Sequence, residues 1–192
     1  MTDNRMMIKI FVIEIKHQCE FAFIALNLLQ QGLQQGIKGN SLVWFSLHSF
    51  LSATDNLSKI FWSTMIEQQQ ENKVVKEQFL FRTIALRKLF NIKSDSPLNE
   101  SKFRNCFEHF DSRIQEWAMQ STRHNYSDCN IGHSGSISGV DAIDSLRNFN
   151  PENQTITFAG DELQLSPLIK LLEIILEKSK LLDSRPWWEL DL

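Results

Sequence analysis

Chain-breaking residues are scarce, with four Pro and seven Gly in 192 residues. A sandwich or barrel needs a turn about every 8–12 residues, so an all-β architecture is excluded. Tyrosine occurs once against fourteen Phe and five Trp, which assigns most of the aromatic mass to burial. The three cysteines, Cys19, Cys106 and Cys129, are odd in number, widely spaced and without a CxxC pair, so neither a disulfide framework nor a zinc knuckle is indicated. Long hydrophobic runs are missing too: the longest, Phe21 to Leu29, is broken by Asn27 and falls far short of a membrane span. The N-terminal stretch from Met1 to Ile15 carries Lys9 and Glu14 with no small-residue cleavage site after it, which excludes a secretory signal. There is no Walker or Rossmann glycine loop, no G-x-S-x-G elbow and no internal repeat. A net charge of −3 gives no global attraction to nucleic acid. These absences describe a soluble, cytoplasmic chain that crosses no membrane and for which no cofactor is expected.

Hydrophobic residues (42%) and charged residues (22%) stand near globular averages, so the chain reads as one domain over 1–192 with a real core. Charge is unevenly spread. Between Lys73 and Arg113 there are nine Lys or Arg against five Asp or Glu, and from Asp161 onward seven acids against four bases. A basic middle and an acidic end follow, read either as solvated helix faces or as a binding patch.

Apolar spacing predicts helices over 6 to about 35, 41–69, about 74–90 and 97 to about 121, the last with Ser96 as N-cap and Pro97 at the first helical position. The segment 121–141 is polar and Gly/Ser-rich and reads as a loop. Two short runs about a Pro-Glu-Asn-Gln turn suggest a β-hairpin over about 145–160, and a final amphipathic helix follows at about 164–183. The expected fold is all-α: an up-and-down bundle of four to five long helices with a small β-hairpin insertion.

The fourth helix holds the main candidate site. At about 100° per residue, Phe103, Phe107, Phe110, Ile114 and Trp117 stack within about 40° of one line, which faces the core. Arg104 falls about 100° to one side and His109 about 120° to the other, with Asn105, Glu108 and Ser112 between them. The pair therefore points away from the core, onto either an ordinary solvated face carrying an Arg104–Glu108 ion pair or a functional one. Arg104-Asn105-Cys106-Phe107-Glu108-His109 resembles the R-N-x-x-x-H signature of HEPN domains, helical bundles that act as ribonucleases in toxin–antitoxin, phage-defence and RNA-processing systems. One departure is Asp111, two residues after the histidine, where family members often carry Tyr.

The resemblance implies a metal-independent endoribonuclease with catalytic Arg104, His109 and Asn105, an RNA substrate, a homodimer in which two copies of the helix meet, and a possible antitoxin or regulatory partner. The residue types suit that chemistry. An imidazole titrates near neutrality and can move a proton; a guanidinium holds a phosphate by two parallel hydrogen bonds and stays charged. Asn105, one turn before His109, can orient the ring or contact the ribose.

The second helix adds a polar stripe on an otherwise apolar surface: from Trp44, positions His48, Ser52, Asp55 and Lys59 fall at about 40°, 80°, 20° and 60°. The stripe is either a slot to solvent or the wall of a polar cleft, and in the second case Lys59 and His48, with Ser112, are substrate-binding candidates. The loop residues His124, Asp128, Cys129 and His133 are metal-ligand types, but H-x4-C-x3-H matches no established zinc spacing and no metal site is expected. Trp187-Trp188, after Pro186, reads as an aromatic plug. The alternative to the nuclease is a non-catalytic helical interaction module.

Overall fold

The computed structural model describes residues 4–63, 73–99, 110–133, 135, 137–158 and 160–192. Among them are five α-helices, α1 (Asn4–Gln34), α2 (Asn40–Phe61), α3 (Lys73–Phe90), α4 (Phe110–Gln120) and α5 (Leu165–Asp183). There are also four strands, β1 (Asn130–Ile131), β2 (Arg147–Asn150), β3 (Thr155–Phe158) and β4 (Asp161–Gln164). The chain forms two compact units, one of Met1–Asn27, Ser49–Glu100 and Lys170–Leu192, the other of Leu28–His48 and Ser101–Ile169.

The first unit is helical. On α1, Ile8, Val12, Ile15, Cys19 and Ala22 recur every three or four residues and are fully buried, as an amphipathic helix requires. Phe50, Leu57 and Phe61 of α2, Leu86 and Phe90 of α3, and Leu172 and Ile175 of α5 complete its core, with Phe61 and Phe90 edge to face at 5.6 Å. Helix α3 stops in a Schellman motif: Asn91 takes a left-handed φ of 57° and the Ile92 and Asn91 amides donate back to the Arg87 and Lys88 carbonyls. Ser96 does act as a cap, its hydroxyl accepting from the Leu98 amide, but of a short 3₁₀ turn at Pro97–Asn99. The C-terminus of α5 is closed by Lys9, whose ammonium donates to the carbonyls of Leu182, Asp183 and Arg185, a favourable place for a cation at the negative end of a helix. Lys9 and Lys16 both pair with the Asp183 carboxylate, and these bonds, Lys16 first, hold its pKa below the ordinary range. Of the terminal pair, Trp187 is half-buried and Trp188 exposed; the apolar plug of that segment is Leu190.

The second unit corrects the expectation of an all-α bundle with a small hairpin. It contains a four-stranded mixed sheet in the order β1-β2-β3-β4, with β1 parallel to β2 and the other pairs antiparallel. The hairpin is present, with Asn150 opposite Thr155 and Arg147 opposite Phe158, and its turn is held by Asn150 and Asn153 side chains accepting from the Glu152 and Thr155 amides. The sheet extends beyond it because β4, an acidic DELQ edge strand, turns back on β3, and because two residues of the Gly/Ser-rich segment add β1 in parallel. Neither carries an apolar alternation from which a strand is read. Strand β3 is central and buried at all four positions; Phe149, Ile156 and Phe158 form the core with Leu146 and Leu165. Among the described residues no helix is long and apolar enough to cross a membrane.

Candidate functional site

Arg147, the first residue of β2, is the centre of a half-buried polar cluster in the second unit. Its guanidinium forks onto the Asp128 carboxylate, with Nε donating to Oδ1 at 2.7 Å and Nη2 to Oδ2. Its Cζ lies over the Phe110 ring of α4, 4.4 Å from the centroid, and over the Trp44 ring of α2, 5.7 Å from the centroid. Nη1 stands 3.3 Å from His48 Nε2, and the Tyr126 phenol hydrogen-bonds Asp128. Arginine alone satisfies both demands here, because its planar fork matches a carboxylate edge-on while its faces pack on aromatic rings.

The electrostatics follow from this packing. Burial is the largest influence on Asp128 and pushes its pKa up, yet the hydrogen bonds and charge of Arg147 outweigh it and the carboxyl sits below its ordinary value. The same hydrogen bonds raise Arg147 further. Burial first, then the adjacent guanidinium, lower His48, so its imidazole is held neutral. Burial raises the Tyr126 phenol, and it pushes the Cys129 thiol, 3.6 Å from the Asp128 carboxylate, up to about 11. A guanidinium already forked onto a carboxylate offers a phosphate no unmatched charge. The cluster therefore acts as a joint that ties α2, α4 and the 126–131 segment to the sheet.

A second polar node adjoins it. The buried Asp144 carboxylate accepts from Ser121 Oγ and from Trp117 Nε1 at 3.0 Å, bonds that lower its pKa, the Ser121 one most. Trp117 in turn meets Tyr126 and His124 edge to face at 5.0 and 5.8 Å. Two clefts open in this unit. One of about 500 Å³ is walled by Leu33, Ile37, Asn40, Asp128, Cys129 and Ile137. The other, about 250 Å³, is lined by Asn130, Asn148, Thr157, Asp141 and Glu162, with Asp141 paired to Arg123 at 3.6 Å.

The sequence-derived candidates divide as follows. Arg104, Asn105 and His109 lie outside the described residues. Ser112 is exposed on α4, while Phe110 and Trp117 of the same helix are half-buried; Ile114, expected on the same core-facing line, is exposed. Lys59 belongs to the first unit and pairs with Asp55 at 2.5 Å. His48 belongs to the second unit and joins the Arg147 cluster, so its half of the polar stripe borders a charged site. The loop residues go to separate partners: His124 to Trp117, Asp128 to Arg147, and His133 to Asn150 and Glu152. Among the described residues no three His, Cys, Asp or Glu side chains group as metal ligands. Arg147 and Asp144 are the residues that motif reading passes over. Their only sequence signal is a charge next to the buried Leu146 and Phe149, and it needs the fold to supply Asp128 and Trp117.

Compared with family models, curated proteins and solved structures, the chain matches none.

Proposed function

We propose that the protein is a HEPN-like, metal-independent ribonuclease acting on RNA in the cytoplasm, in a defence or toxin–antitoxin type of system. One observation carries the reading: Arg104-Asn105-Cys106-Phe107-Glu108-His109 immediately precedes a helix that half-buries Phe110 and Trp117 of the predicted apolar line, leaves Ile114 of that line 36% exposed, and exposes Asp111 and Ser112. In this reading His109 removes the ribose 2′-OH proton as the 2′-oxygen bonds to phosphorus. The P–O5′ bond then breaks, and the imidazolium returns its proton to the leaving 5′-oxygen. Arg104 grips the phosphate as negative charge gathers on it, Asn105 orients the ring, and Ser112 lies one turn further along as a substrate contact. Two copies meeting at this helix, with an antitoxin as regulator, complete the proposal.

RNA is expected to be cut in the presence of EDTA, leaving 2′,3′-cyclic phosphate ends. His109→Ala is expected to lower the rate by about 10² or more while the circular dichroism spectrum is unchanged. Cutting undiminished in that variant rejects the nuclease. The second reading, a non-catalytic interaction module, is favoured by the internal partners of two substrate-binding candidates, Lys59 on Asp55 and His48 beside Arg147. Phosphodiesterase activity that depends on Arg104 excludes it.

A further inference from the structure

Helix α1 is apolar on two opposite faces. Ile8, Val12, Ile15, Cys19 and Ala22 lie within about 40° of one line and are sealed in the first unit. Met6, Ile10, Phe21 and Ile24 lie about 180° away. They are 48%, 58%, 53% and 55% exposed. A helix that is apolar all round belongs in an interior, so the outer face calls for cover.

The outer stripe has a pattern that identifies the cover. Between its two apolar ends lies His17, with Glu14 on one flank and Ile13 and Glu20 on the other; the Glu14 carboxylate accepts from Gln18 Nε2 at 2.7 Å, and the His17 ring stacks on Phe21 at 6.3 Å. Two copies laid parallel would set Glu14 against Glu14. Laid antiparallel about a two-fold axis, with Ile10 opposite Phe21 of the second copy, Glu14 falls opposite His17 and His17 opposite Glu14, while Met6 and Ile24 close the two ends. Such a stripe is complementary to itself, the condition for a two-fold interface. An anionic lipid surface fits poorly: Glu14 flanks the middle of the stripe, and the nearest lysines, Lys9 and Lys16, are held by Asp183 and the end of α5.

We propose that the outer face of α1 is a homodimer interface, antiparallel and two-fold, in which Ile10 packs on Phe21 and Glu14 pairs reciprocally with His17. The stripe from Met6 to Ile24 is about 27 Å long, so the contact is a two-helix seam and the dimer is concentration-dependent. This interface rests on α1 alone; the nuclease reading places its own dimer contact at the Arg104–His109 segment, and substitutions on α1, which leave that segment intact, tell the two apart.

Sedimentation of the full chain across a concentration series tests it. The wild type is expected to pass from monomer to dimer, and Ile10→Asp and Phe21→Asp each to weaken the dimer by roughly tenfold or more. Both positions are exposed, so an unchanged circular dichroism spectrum is expected. Glu14→Lys is expected to weaken association, and adding His17→Glu in the same chain to restore it, because the reciprocal pair is then reversed. A wild type that stays monomeric overturns the proposal, including one that instead pellets with anionic vesicles. So does a dimer indifferent to the Ile10 and Phe21 substitutions, or a charge reversal without rescue.

Discussion

Arg147 and Asp128 show how much a single ion pair does when it is half-buried. With side chains only 16% and 14% exposed, each charge depends on the other for the solvation it has lost. Arg147→Met is expected to cost about 2–3 kcal/mol in urea unfolding, since it strands a carboxylate next to aromatic rings. Replacing Asp128 by Leu in the same chain is expected to recover much of that loss. The pH dependence has a definite sign. The Asp128 pKa is depressed by folding, so its contribution is present above the ordinary carboxylate range and disappears as pH falls through the folded value. In Asp128→Asn the acid limb of the stability curve is therefore flatter. His48, also lowered, is neutral in the fold, so acidification through its ordinary range removes stability by the same logic.

Among the elements, the junction of α1 with α2 has the least tolerance. Gly32 near the end of α1 and Gly39 in the following 3₁₀ turn meet backbone to backbone: a Cβ on Gly39 would lie 1.9 Å from the Gly32 carbonyl oxygen, and one on Gly32 would lie 3.0 Å from the Val43 amide nitrogen. The obstacle at Gly39 is main chain and cannot swing aside; at Gly32 the Val43 Cγ2 methyl, at 2.9 Å, adds to it. Gly39→Ala is expected to lower stability by about 3 kcal/mol, read as a shifted denaturant midpoint. Gly36→Ala in the same turn would meet no clash, only the cost of its left-handed φ of 59°. In the sequence QQGLQQGIKGN marks the helix end, but which of its glycines carries the close approach depends on Val43 and on the return of the chain. The ends of α1, α3 and α5 fall close to where their spacing puts them, whereas α2, expected to run to 69, stops at Phe61, because the apolar spacing continues past the point where the helix ends.

For the whole molecule, legibility follows element length. Helices of eighteen residues and more, such as α3 and α5, declare themselves by spacing, whereas β1 has two residues and β4 four, two of them acidic, so the sheet is specified by pairing that no local window contains. The candidate site divides the same way. A motif read along one helix, Arg104 to His109, is a local signal; the Arg147–Asp128–His48 cluster joins residues up to 99 positions apart and exists only once the strands are in register. Cys19 is sealed in the first unit with its pKa raised to about 12, and Cys129 in the second is raised to about 11, both by burial. At neutral pH each is almost wholly un-ionised and slow toward iodoacetamide while its surroundings stay closed. In a Cys106→Ser background, mass-resolved alkylation along a urea gradient is expected to modify Cys19 only when the first unit opens, and Cys129, half-exposed on a cleft wall, slowly at first and faster as the second unit opens. The chain thus carries one built-in reporter per unit, able to say whether the two halves melt together or in turn.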